Sequence, residues 1–283
     1  MANTISTRSK RDVYRSKTLA KALRKMLVAE KVCQVDNSDL NSIQSPYGSQ
    51  PTTTVQALTG TYSPADFTIT DDALTVNNEF IVSEHIFDFQ KVLNSFDLFA
   101  SRFDEMTYSV ATAIDRFVIN NLCEDGTGTY TTPTGGFTNA ANVNTIMSDL
   151  LGKVAGYSET FNGLFLIVES TDVPGLIRAG ATSGFSFADA ALNNGFMDSY
   201  MGVDIYVVRS VFADETLGTT TYTNSGHRVF GVKNMATYAS PRSIQQDEKS
   251  VSGKTGKELV VWGYVGFKLW APKTDLVVDI TLA

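Results

Sequence analysis

Four short stretches have residue types that do chemistry, and each departs from the pattern the chemistry requires. Gly253-Lys254-Thr255 has the glycine turn, lysine and hydroxyl of a phosphate-binding loop. That loop also needs a glycine five residues before the first, and Glu248 stands there, where its carboxylate repels phosphate. Residues 247–257 therefore read as a flexible loop. Gly180-Ala181-Thr182-Ser183-Gly184 sets its serine against the second glycine and misses the G-x-S-x-G elbow that exposes a nucleophile, so it reads as a loop too. Asp71 and Asp72 are adjacent, which on a strand sends their carboxylates to opposite faces, and they read as solvated turn residues. Glu84, His85 and Asp88 sit in an alternating stretch, Phe87-Asp88-Phe89, that reads as packing and not as a metal site.

The remaining supply of reactive groups is thin. Cys33 and Cys123 lie in no CxxC or Cys/His spacing and are read as reduced, structural thiols. His85 and His227 are far apart in sequence and each stands alone. No catalytic residue, cofactor site or metal site is expected, and the chain does not read as an enzyme. With 43% apolar residues over 283 positions it has ample material for a core. Its longest apolar stretches, 164–168 and 259–267, are far shorter than the roughly 20 residues of a membrane helix. No membrane span and no secretory signal are expected, and the site of synthesis is read as the cytoplasm.

Charge is where the sequence becomes informative. The total of −7 combines a segment 1–31 with nine basic and two acidic residues, a net of +7, and a remainder of −14. Within that segment Leu19, Leu23, Met26 and Leu27 recur at i, i+4, i+7 and i+8. Arg8, Arg11, Arg15, Lys17, Lys21, Arg24 and Lys25 supply the charge, so residues 12–32 are predicted to form a basic amphipathic helix. Its leucine stripe suits docking on its own domain or on a neighbouring subunit. Its basic face suits contact with nucleic acid, and a membrane surface is the weakest fit.

The elements behind this arm are legible from period. Residues 36–64 are polar and rich in Ser, Thr, Gln and Pro, too poor in large apolar groups to fold alone. Residues 66–86 alternate as short strands broken at Asp71-Asp72 and Asn77-Asn78. Phe99, Phe103, Met106, Val110, Ile114, Phe117 and Leu122 predict a helix over 95–123, stopped by Glu124-Asp125-Gly126. Asn139 is placed to cap a second helix with Val143, Ile146, Met147, Leu150 and Val154 inward, and Ser170, Thr171 or Asp172 to cap a short one at Pro174. Strands are predicted over 164–168, 203–208, 228–232, 259–270 and 276–282, which makes the chain α+β.

In this order the elements resemble the major capsid proteins of tailed bacteriophages, with the Hong Kong 97-type coat fold. The resemblance rests on Leu74-Thr75-Val76 to Ile81-Val82 leading into Ile86 to Gln90, then the helix carrying Ala113-Ile114-Asp115. It continues through Ala191-Leu192-Asn193-Asn194-Gly195 with Gly202-Val203-Asp204-Ile205-Tyr206, and Gly263-Tyr264-Val265-Gly266-Phe267 with Ala271-Pro272-Lys273. It implies an N-terminal arm over 1–48, an extended loop over 49–82, a peripheral domain with a spine helix over 83–158 and 258–283, and an axial domain over 159–257. It further implies a homo-oligomer of hexamers and pentamers in an icosahedral shell in the virion, around double-stranded DNA contacted without sequence preference. A separate scaffolding protein, a portal and decoration proteins are the implied partners. An encapsulin-type compartment shares the fold, and a nucleic-acid-binding protein using the basic helix is the reading outside it. Deletion of residues 1–31 is expected to leave the body folded and to block assembly.

Overall fold

The computed structural model describes residues 28–37, 42–48, 53, 55, 58–61, 66–87, 98–182, 196–209, 211–217, 220–242 and 244–283. The basic residues and leucine stripe predicted to form the arm helix lie outside these. Its last residues are present as the short helix α1, Ala29–Val32.

Strands follow as β1 (Gln34–Asp36), β2 (Ser42–Gly48), β3 (Ile69–Thr75) and β4 (Asn78–Ile86), then the long helix α2 (Leu98–Asp125) and β5 (Gly128–Thr131). Helix α3 (Ala140–Val154), β6 (Leu164–Glu169), helix α4 (Val173–Thr182), β7 (Phe196–Tyr200) and β8 (Val203–Val208) come next. The chain closes with β9 (Asp214–Leu217), β10 (Thr220–Thr223), β11 (His227–Val232), β12 (Ala236–Ala239), β13 (Gln245–Ser250), β14 (Lys257–Leu269) and β15 (Val277–Thr281).

Two sheets carry the body. In the first, the 13-residue β14 pairs antiparallel with β4 over Lys257 to Val265 on one edge. Its other edge takes β13 and then β12, with β1 parallel to β12 beyond. The second sheet runs in the order β5-β15-β11-β6-β8-β7, and its β6 is buried along its centre. That burial explains the unbroken apolar run Leu164 to Val168, since a strand covered on both faces has no polar side.

Helix α2 joins the two sheets. At 1.5 Å per residue its 28 residues span about 42 Å. Met106 and Val110 bury the first half, which packs on β4 and β14, while the second half reaches β11 and β15. Where both sheets crowd it, Val118, Ile119 and Asn120 are fully buried beside the predicted Ile114, Phe117 and Leu122. Helix α3 follows its prediction closely: the Asn139 side chain accepts from the Ala141 N–H, and the five predicted inward residues are its buried ones.

Several expectations are corrected. The extended loop expected over 49–82 begins earlier, because β2 pairs with β3 from Ser42↔Thr75 to Gly48↔Ile69 as a two-stranded ribbon. Residues 78–82 belong instead to β4 and the body sheet. The division expected at residue 257 also falls inside a sheet. The β13–β14 hairpin keeps both strands together, while β15 crosses to the other sheet beside β11. Asp71 and Asp72 lie within strand β3, not in a turn, and residues 247–250 lie in strand β13. Gly180 to Thr182 end α4; Ser183 and Gly184 lie outside the described residues.

Candidate functional site

The turn between β13 and β14 accounts for the phosphate-loop look-alike. Its glycines serve the chain reversal: Gly256 has φ +109°, and a Cβ there would stand 2.1 Å from the Ile86 carbonyl oxygen. No helix begins after Lys254 and Thr255, which lead straight into a strand, so no helix N-terminus faces an anion. Glu84 and His85 are strand neighbours whose side chains diverge. Glu84 accepts from Arg102, and the His85 ring sits edge-on to Phe87 at 4.5 Å. Asp88 lies outside the described residues.

The surface features are larger. The β2–β3 ribbon presents Phe67 and Ile69 at 70% and 61% exposure, with Val55 and Leu58 fully exposed in the segment between its strands. Apolar groups so displayed on a projecting element mark a contact surface. The Phe67 ring lies over Gly48, where any Cβ would overlap it. The ribbon's root is held by a small core of Leu74, Ala239 and Trp270, with the Trp270 indole N–H donating to Thr237 Oγ1 at 2.9 Å. Asp72 completes the clasp: it accepts the Ala271 N–H at 3.0 Å and pairs with Lys268 at 2.9 Å. Burial pushes the Asp72 carboxyl upward, but the Ala271 and Ala73 N–H groups and the Lys268 ammonium together hold it below its ordinary value.

The arm leaves the body from a fixed root. Val28, Ala29, Val32 and Cys33 are buried in the main core. The Ala29 N–H donates to Asp115 Oδ1 at 2.7 Å, so a carboxylate of the long helix caps the short one. The Asn234 N–H donates to the Val32 carbonyl at 2.8 Å. Burial, reinforced by the Asp115 charge, pushes the Cys33 thiol well up. Asp115 was open to recognition as an acid on the apolar face shared with Val118 and Leu122. Its partner was not.

Two clefts flank α2. One, of 440 Å³, is walled by an ion network in which Arg102 bridges Glu84 and Glu105, with Arg116 on Glu215. The Glu84 carboxylate leads in raising the Arg102 guanidinium further above its ordinary value. The other, of 710 Å³, runs beside the arm root between Glu30, Lys31, Ile114 and Tyr238. Both are open, the first lined by paired charges and the second by charged, polar and apolar groups, an arrangement suited to receiving a chain segment.

The two expectations for isolated Cys and His are corrected at one place. Cys123 at the end of α2 donates its S–H to Asp279 Oδ1 at 2.9 Å, and His227 Nδ1 lies 2.9 and 3.0 Å from the two oxygens of the same carboxylate. Burial, then the bond to Asp279, pushes the Cys123 thiol up. The separation of 156 positions between Cys123 and Asp279 hid this meeting from any spacing argument.

No protein-family model matches the chain, and no curated protein matches it. Solved structures do. The capsid of the Cyanophage P-SCSP1u superposes with a TM-score of 0.73 at 12% identity, covering 96% of this chain and 92% of that one. The capsid of an empty GTA particle gives 0.69 at 15% identity over 96% and 95%. The capsid of Myoviridae Phage XM1 gives 0.66 at 12% identity over the full length of both. At such identities the likeness is one of architecture, and by architecture this chain is an α+β protein with the Hong Kong 97-type fold of the phage capsids.

Proposed function

We propose that the chain is a major capsid protein that self-assembles into the icosahedral head of a tailed phage around double-stranded DNA. The observation that carries this is the coverage: the likeness to the P-SCSP1u capsid takes in 96% of this chain and 92% of that one. The described surface agrees in kind. Among the described residues the ribbon leaves Phe67 and Ile69 exposed, and clefts beside α2 offer charged and apolar walls to a neighbour.

In this reading the role is structural and not enzymatic. Each subunit places its ribbon on the next within hexamers and pentamers, so subunit stability becomes partly that of the lattice. Residues 1–48 act as the arm, with the paired strand β2 as its transition into the loop. The α2 helix with the β14 sheet forms the peripheral part, and the β6–β8–β11 sheet the axial part. The body's −14 keeps DNA from adhering to the wall, while the basic residues Arg8 to Lys25 clasp a neighbour first and meet phosphate second. Scaffold, portal and decoration proteins complete the set of partners, and the assembled protein resides in the virion.

Electron microscopy and sedimentation of the purified full chain, alone and with its co-expressed neighbouring genes, test this. Closed icosahedral particles are the expected result. A small soluble particle that binds DNA in a salt-sensitive way would overturn the shell reading. Hollow particles holding an enzyme and no genome would replace the phage head with a cellular compartment.

A further inference from the structure

Cys123, His227 and Asp279 come from three elements that do not adjoin in sequence: the last turn of α2, the first residue of β11 and the centre of β15. Their donor atoms all lie within 4.8 Å of one another. We propose that these three side chains are a binding site for one zinc ion, which fastens the end of the long helix to the second sheet.

The donor set is the first argument. A thiolate, an imidazole and a carboxylate together select zinc over the hard cations magnesium and calcium, which prefer oxygen alone. Three protein ligands leave one tetrahedral position for water, and the site has an opening for it. His227 and Asp279 retain 24% and 18% exposure while Cys123 is buried.

Geometry is the second argument. The present edges of the triangle that are measured, Sγ to Oδ1 and Nδ1 to Oδ1, are both 2.9 Å. A tetrahedral zinc with bonds of roughly 2.0–2.3 Å needs ligand edges of about 3.2–3.7 Å. These two edges therefore have to open by less than about 1 Å, and the third, within 4.8 Å, lies in the range that small χ changes at Asp279 and His227 adjust.

Rigidity is the third. His227 and Asp279 lie on paired strands, one diagonal apart, in the registers His227↔Thr281 and Val229↔Asp279. The His227 N–H is held by the Asn224 carbonyl at 3.0 Å, and the Leu282 N–H by that of Gly226 at 2.9 Å. Ligands on such elements keep their geometry without the metal, so little ordering cost falls on binding. As the zinc binds, the thiol proton leaves Sγ to buffer, and the proton that His227 Nδ1 shares with Asp279 passes to solvent as the ring takes the tautomer protonated at Nε2. The ion takes the place of the two hydrogen bonds that now hold the three groups together.

The test uses the tag-free full chain, stripped with a chelator and desalted, with cobalt(II) and then zinc as the probes. One equivalent of cobalt is expected to give a thiolate-to-cobalt charge-transfer band with the visible bands of a tetrahedral site. Zinc is expected to abolish both and to raise the thermal midpoint. Cys123→Ser, whose hydroxyl still donates to Asp279, is expected to lose the charge-transfer band. His227→Asn should weaken binding by at least the 10- to 100-fold that an outer-sphere change costs. Absence of the band in the unaltered chain overturns the proposal whatever the variants do. So does one-to-one zinc binding that survives Cys123→Ser/His227→Asn, since the ion then sits elsewhere. The result is independent of particle formation, so it stands or falls apart from the shell reading.

Discussion

Two truncations separate the arm's role in assembly from its role in folding. Deleting residues 1–25 removes Arg8, Arg11, Arg15, Lys17, Lys21, Arg24 and Lys25 and leaves the root intact. Deleting residues 1–31 also takes Val28 and Ala29 out of the core. A fully buried Val side chain contributes roughly 1.5–3 kcal/mol and the Ala methyl about 0.8 kcal/mol. Asp115, itself buried, loses the Ala29 N–H, a hydrogen bond to a charged group of about 1.5–3 kcal/mol. The longer deletion is therefore expected to cost roughly 3–7 kcal/mol, a large part of the ~5–15 kcal/mol a domain has. That corresponds to a midpoint about 5–15 °C lower for the unassembled chain. The expectation that the body lacking residues 1–31 still folds then holds only with a reduced margin. Calorimetry on the two proteins, followed by microscopy of each under assembly conditions, decides the matter. The shorter deletion should melt like the full chain and fail to form shells. Equal midpoints for both deletions would refute the buried-root argument, and normal shells from the shorter one would refute the clasp. A drop of several degrees with residues 1–25 removed would place the leucine stripe on its own body.

Three further outcomes are expected. Asp72→Asn should loosen the ribbon by about 1–2 kcal/mol, the value of a charge-assisted bond discounted for the partly exposed Lys268, seen as about tenfold faster amide exchange over Ile69–Thr75. Because the folded Asp72 carboxyl lies below its ordinary value of ~3.9, the clasp is fully present above about pH 4 and is lost as pH falls through the lower folded value. A change in Trp270 emission over that range, absent in Asp72→Asn, would show it. Arg228→Ala should cost about 3–5 kcal/mol in chemical unfolding, because Arg228 Nε binds Asp172 at 2.5 Å with both side chains buried and Asp172 would be stranded; a smaller loss in Arg228→Met/Asp172→Leu would confirm that stranding is the cause. Gly256→Ala should cost about 2 kcal/mol or more through its positive φ and the overlap with Ile86, measured as a lower midpoint, and a neutral result would remove the turn argument.

Local patterning was enough for the elements that depend on it. The period of Met106, Val110, Ile114 and Phe117 marked a long helix, and the structure ends it at Asp125, two residues past the expected 123. Asn139 was legible as a cap because its partner is two residues away. Asp172 shows the limit. Its backbone carbonyl does begin α4, accepting from Gly175 and Leu176, but its side chain serves the Glu169 N–H and Arg228, 56 residues on. Asp72 was misread as solvated because its partners, Lys268 and Ala271, come from the far end of the chain.

The sequence by itself determined the α+β content, the charge division between arm and body and the order of elements, since all three follow from composition and short-range period. Only the tertiary structure decided which sheet each late strand joined, what anchors the ribbon and the arm root, and that Cys123, His227 and Asp279 meet. Those outcomes depend on pairings between residues about 50 to 200 positions apart, where hydrogen-bond register and packing choose the partner and leave no trace in local sequence.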